Sequence, residues 1–272
     1  MPVPDPEIPP LPSIATLGTD LLRISRFQRV VSLVIPFFCV GTYLVFASLK
    51  IWPLAVLCLV YLSFVTYGSI SHDLVHRTLG LPRSINESFL TLIELLAFRS
   101  GHAYRLAHLH HHAHFPHDDD IEGAAAKMSF SRTIIEGMIF QPRIMLWAAK
   151  RAQNTRSLVI FEIVMVALLL VLCFASIRAT PIFAVYAALM IMGSWIIPLV
   201  TSYVPHNPAG KTVLSQTRLF RGKIASIIAL EHLYHLEHHL YPMVPHQNWP
   251  KLARRLDPYF KMAGVAPVVL GL

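Results

Sequence analysis

Charge is scarce in this sequence: Asp, Glu, Lys and Arg together make up 14% of its 272 residues, against 54% apolar residues. That is too little polar surface to clothe a soluble domain, and a mean hydropathy of +0.54 points to an integral membrane protein. Cysteine is equally sparse. Cys39, Cys58 and Cys173 stand singly inside apolar stretches, which excludes a C-x-x-C metal knuckle or redox pair and reads them as small buried hydrophobes. There is no glycine-rich dinucleotide fingerprint after a strand pattern and no C-x-x-C-H haem attachment. Any electrons used by this chain are therefore expected from a separate protein. No basic stretch followed by a short apolar core opens the sequence, so a cleaved secretory signal is not expected. The formal net charge of +8 comes without any nucleic-acid recognition motif, and basic residues in a membrane protein mark its cytoplasmic side, so nucleic acid is not an expected partner.

What the sequence does have is long apolar runs in two pairs. Residues 1–29 form a leader, with Pro2, Pro4, Pro6, Pro9, Pro10 and Pro12 making an extended stretch. Residues 17–29, carrying Arg23, Arg26 and Arg29, read as a short amphipathic helix at an anionic membrane surface. From there residues 30–272 read as one membrane domain. Spans are expected at about 30–49, 51–70, 158–177 and 181–200, each long enough to cross ~30 Å of hydrocarbon. The polar stretches 71–157 and 201–272 lie between and after them. Residues 85–98 are apolar but too short to span and carry Glu87 and Glu94, which fits a re-entrant or interfacial helix. Of the 23 Lys and Arg residues, all but Lys50 and Arg178 fall outside the two short hairpin loops. The positive excess places both termini and both polar stretches in the cytoplasm.

Fifteen histidines are concentrated in those polar stretches. His108, His111 and His112 stand at i, i+3 and i+4, where a helix brings them to one side, and His235, His238 and His239 repeat the spacing. His72 and His76, four apart, make a looser third box. At this histidine frequency, chance supplies about 0.05 H-x-x-H-H strings in a chain of this length, by counting template matches. Two occur. Neutral imidazole suits zinc, copper, iron and nickel, but eight box histidines exceed what one tetrahedral zinc can use. Two metals sharing them is the economical reading, and iron fits best as a redox ion with open positions. His110 points off the ligand side of its helix, while His102, His114, His117, His232 and His246 are left unassigned. Metal-bound imidazoles donate their second N–H to a carboxylate, and Asp73, Glu237 and Asp118 are the foremost nearby candidates, with Asp119, Asp120 and Glu231 behind them.

His72-x3-His76, His108-x2-His111-His112 and His235-x2-His238-His239, set around two apolar hairpins, resemble the three histidine boxes of the membrane fatty acid desaturase superfamily from Val30 onward. Tyr203-Val204-Pro205-His206 and Tyr234-His235-Leu236-Glu237-His238-His239-Leu240-Tyr241-Pro242 are also similar to strings in the carotenoid hydroxylase and ketolase branch. The resemblance implies an all-α membrane protein: four transmembrane helices in two hairpins under a cytosolic helical cap holding a di-iron site. It implies two non-haem iron ions, dioxygen as co-substrate, and His206 as a further ligand at the family's position between the second and third boxes. It also implies oxidation of an unactivated C–H bond in a lipid, favoured here as acyl desaturation, with carotenoid ring hydroxylation or ketolation as the alternative. The electron donor would be a ferredoxin or cytochrome with its reductase, since no fused cytochrome domain is present. Basic residues Arg218, Arg221, Lys223, Arg254 and Arg255 could steer an acidic donor. A rival of another class is a His-rich metal-handling or transport protein. Transporters place ligands near the bilayer midplane, whereas the expected spans hold no histidine and one acid, Glu162.

Overall fold

The computed structural model describes residues 9–222 and 233–271. Pro2, Pro4, Pro6, Lys223, Glu231 and His232 lie outside the described residues. The chain is mostly helical, with one pair of two-residue strands among the described residues. Among the described residues, four helices are long and apolar enough to cross a membrane: Thr19–Ser48, Trp52–His76, Arg156–Arg178 and Ile182–Tyr203.

The N-terminal region differs from a single amphipathic helix. Helix α1 (Ile14–Leu17) stops at Gly18, whose φ of 109° is reached readily only without a Cβ. A short turn, Thr19–Leu22, follows. The first span proper, α2 (Arg26–Ser48), then starts on a capping box in which Ser25 and Gln28 satisfy each other's backbone N–H. Leu17 and Leu21 are buried with Leu252 and Leu256, and Asp20 pairs with Arg255 at 2.8 Å. The segment is therefore fastened to the C-terminal part of the chain.

The second span runs further than hydropathy alone indicates. Helix α3 (Trp52–Val65) opens into a wider π turn at Thr66–Ile70 and continues without a break as α4 (Ser71–His76). One extra residue in a turn rotates everything beyond it. The π turn thus sets the direction of His72 and His76, which sit at the end of the span helix and not in a loop beyond it. Arg77, at a left-handed φ of 59°, ends the helix, and Arg105 donates to the freed carbonyls of Leu74 and Val75.

Residues 85–98 do form a helix, α5 (Arg83–Leu96), whose buried positions Asn86, Leu90, Ile93 and Glu94 fall on one side. Helix α6 (Gly101–His114) begins beside it, capped by Ser100. A Cβ on Gly101 would come within 2.8 Å of the Leu90 carbonyl oxygen, so the close crossing of α5 and α6 requires glycine there. An amphipathic helix, α7 (Phe130–Arg151), leads into the third span, α8 (Arg156–Ala175). The fourth span comprises α9 (Ile182–Ser194) and, after a short turn, a second π turn at Leu199–Tyr203, just before His206. Beyond it come α10 (Val213–Gln216), β1 (Phe220–Arg221), α11 (His235–Leu240), α12 (Trp249–Met262) and β2 (Val268–Val269). β1 and β2 pair in parallel.

Two apolar cores result. One runs between the spans through Tyr43, Leu59, Leu62 and Met190, and the other holds α11 and α12 to the N-terminal segment through Leu236, Trp249 and Phe260. Glu162, the acid inside the third span, is fully buried and accepts from Thr91, Ser100 and both the backbone N–H and Nδ1 of His102. His102 in turn reaches Glu87 with its other ring nitrogen. Glu162 and His102 therefore act as a polar tie between α5, α6 and α8.

Candidate metal centre

Helix α6 carries His108, His111 and His112, and α11 carries His235, His238 and His239. The two boxes face one another and are joined by His72 and His76 from α4 and by His206. These nine imidazoles sort into two groups, the nitrogens within each lying no more than 4.8 Å apart. His72, His76, His108, His112 and His238 form the first group; His111, His206, His235 and His239 form the second. Each H-x-x-H-H box is thus divided. Its i and i+4 members go to one group, and its i+3 member, about 100° from i+4 around the helix, goes to the other.

Within the groups it is Nε2 that converges. In the first, the Nε2 atom of His238 lies 3.0 Å from that of His72 and 2.7 Å from that of His112, while His108 and His112 stand 3.1 Å apart. In the second, His206 Nε2 lies 3.2 Å from His111, 3.1 Å from His239 and 3.3 Å from His235. The opposite nitrogen is committed to a protein acceptor in His108, His111 and His206. His108 Nδ1 donates to Glu122 at 3.1 Å, His111 Nδ1 to Asp120 at 2.7 Å, and His206 Nδ1 to the Ser202 carbonyl at 3.1 Å. A neutral imidazole that donates from Nδ1 presents a lone pair at Nε2. Lone pairs converging in a buried space, together with a buried His76 Nε2 that has no hydrogen-bond partner, fit a cation at each group.

The electrostatics favour the neutral form at four of the imidazoles outside the spans. Burial first, and then the neighbouring imidazoles, hold His112, His206, His238 and His239 well below the ordinary imidazole range. Burial acts the same way on His111, but its bond to Asp120 outweighs that and the net shift is upward. Asp120 moves the opposite way, its carboxyl held down by His111 against the effect of burial.

The three foremost candidates for supporting carboxylates pair elsewhere. Asp73 binds His246 through both its backbone N–H and Nδ1, Glu237 pairs with Arg221 at 2.7 Å, and Asp118 is exposed and pairs with Lys127. Asp73 and Glu237 are chain neighbours of box histidines, and adjacent residues on a helix diverge by about 100°. That divergence turns them away from the imidazoles. Among the described residues, the carboxylates that reach them, Asp120 and Glu122, come from the loop after α6. Asp120 stood among the sequence candidates; Glu122 did not, although its place just after the acidic triplet 118–120 was a signal. Glu122 also accepts from the hydroxyl of Tyr67, which stacks on Tyr104. Trp249 covers the rings of His72 and His238.

Because Glu122 fixes the tautomer of His108, Glu122→Gln is expected to weaken metal binding by about 10–100-fold, the usual cost of losing such a partner. Metal retention on dialysis against a graded chelator measures it. Unchanged retention would show that Glu122 does not orient the ligand.

No curated protein matches the chain significantly. The sequence profile of the fatty acid desaturase family matches residues 47–269, a stretch that takes in the last three spans and all nine of the clustered histidines. With four membrane-length helices among the described residues and two histidine groups drawn from three boxes and His206, the chain belongs to the fatty acid desaturase family.

Proposed function

We propose that this protein is a membrane-bound, O2-dependent di-iron oxidoreductase that desaturates the acyl chain of a lipid. Its ligands would be His72, His76, His108, His112 and His238 for one iron and His111, His206, His235 and His239 for the other. The observation that carries the reading is the convergence of nine buried or half-buried imidazoles in two groups. Iron held there would supply activation of dioxygen and removal of hydrogen from an unactivated carbon. The chain's own part is to fix the imidazole tautomers through Asp120, Glu122 and the Ser202 carbonyl, to keep the site dry under Trp249, and to register the substrate.

An apolar groove supports the substrate class. A cavity of about 320 Å3 lies between the second and fourth spans, walled by residues such as Val56, Val60 and Ile196, and ends at Tyr67 and Thr201. Both residues also line the small cavity that opens on His72, His108, His111, His235 and His238. Val60, Met192 and Ile196 leave the groove's flank exposed, where a lipid chain can enter sideways. Gly193 sits in its wall with Ser63 Oγ 3.0 Å from where a Cβ would stand. Gly193→Phe is expected to reduce turnover at least about tenfold by filling space the substrate needs, with metal content unchanged. Equal loss of metal would assign the effect to misfolding instead.

The positive excess outside the hairpin loops supports a cytoplasmic location for the histidine side and both termini. An external ferredoxin or cytochrome would bring the electrons. The basic residues available to steer it are fewer than the sequence indicates, since Arg255 is paired with Asp20 and Arg221 with Glu237 and Asp257. A metal transporter is disfavoured because the clusters lie at the ends of the second and fourth spans, not along their middles.

The deciding experiment is expression in a host supplied separately with fatty acids and with β-carotene, followed by mass analysis. Loss of two hydrogens from an acyl chain is the expected result. Gain of one oxygen on the carotenoid would identify a hydroxylase, and gain of oxygen with loss of two hydrogens a ketolase.

A further inference from the structure

Outside the nine clustered imidazoles, α6 presents a second and separate constellation. His110 and His114 stand one helical turn apart on the side of α6 away from the centre, and their rings stack at 3.8 Å. His110 Nε2 and His114 Nδ1 both approach the same oxygen, Oδ2 of Asp119, at 3.1 Å each. Trp147 packs on the His110 ring, with centroids 5.1 Å apart, and so holds it in place. All three side chains retain partial exposure, 18% for His110, 43% for His114 and 45% for Asp119.

We propose that His110, His114 and Asp119 form an outer site for one divalent transition metal of the zinc class. Two imidazoles and one carboxylate are a common zinc ligand set, and the accessible fourth position suits water. Around a tetrahedral zinc, neighbouring donor atoms sit about 3.3 Å apart; Asp119 Oδ2 already stands 3.1 Å from each nitrogen, and a rotation of the half-exposed His114 ring out of its stack on His110 aims both lone pairs at one ion. Partial exposure gives the ion a route in.

The outer metal would tie α6 to the loop that follows it. Asp119 immediately precedes Asp120, which accepts from His111 and also from the backbone N–H groups of Glu122 and Gly123. Glu122 accepts from His108. A metal on Asp119 therefore fastens the segment whose carboxylates orient one imidazole of each inner group. The site stands on its own geometry, whichever metal the inner groups hold.

The test uses the full-length, iron-loaded protein in detergent, dialysed against zinc chloride, with iron and zinc counted per chain by mass spectrometry. Wild type is expected to hold one more metal ion per chain than His114→Ala or Asp119→Asn. Counting iron and zinc together keeps that difference of one intact even where zinc replaces iron inside. Equal totals in wild type and both variants would overturn the proposal. Because His114 and Asp119 are half exposed, neither substitution threatens the fold.

Discussion

His238→Ala is expected to lower bound metal from about two ions per chain to about one or fewer, and turnover by at least about a hundredfold, at the upper end of what perturbed metal sites lose. His238 is buried, and its Nε2 lies within 3.0 Å of His72 and 2.7 Å of His112, so it closes the first group from the α11 side. Its other ring nitrogen has no hydrogen-bond partner. The side chain is therefore not anchoring the fold through a polar contact. The protein should still reach the membrane fraction, because His238 lies outside the four span helices. His117→Ala, in the exposed loop after α6, serves as the control with wild-type metal and activity. Metal analysis beside product formation checks the prediction, and a fully loaded, fully active His238→Ala would contradict it.

The largest stability effect is expected at Arg99, which is almost completely buried behind the centre. Its guanidinium donates to both oxygens of Glu94 and to the Thr66 hydroxyl in the π turn of the second span. Ser71, at the start of α4, donates to the same Glu94. This network locks α5 to the stretch of helix that aims His72 and His76. Arg99→Met leaves the Glu94 carboxylate buried without its partner, at a cost of about 3–5 kcal/mol. Removing both charges together, as in Glu94→Leu with Arg99→Met, is expected to restore much of that loss. Thermal unfolding in detergent measures both, and a double variant less stable than the single one would contradict this account.

Much of this arrangement could be read from residue spacing. The four apolar runs were long enough to declare themselves, and the repeated i, i+3, i+4 histidines pointed to α6 and α11 because helical spacing is a local property. His206 was reached only through the family resemblance, which implies a further ligand between the second and third boxes. What spacing could not supply was anything that depends on rotation or on a return of the chain. The π turns at Thr66–Ile70 and Leu199–Tyr203 have no compositional mark, so the second span was expected to end before His72. Asp73 and Glu237 were favoured for their nearness in sequence, while the carboxylates that meet the imidazoles, Asp120 and Glu122, arrive by a loop folding back on its own helix. The contacts of residues 17–29 were hidden from spacing for a similar reason. Its apolar residues found partners in α12, more than two hundred positions away. Glu162 stands out in the sequence as the one acid in the expected spans, and four hydrogen bonds from α5 and α6 make it a structural tie.

The central claim is that the nine imidazoles hold two redox-active metals that carry out oxygen-dependent chemistry on a lipid. Metal analysis of the protein purified without chelators, combined with product analysis with and without dioxygen, tests it most directly. About two irons per chain together with a product that forms only under oxygen is the predicted result. Zinc alone, with no oxygen-dependent product, would contradict it.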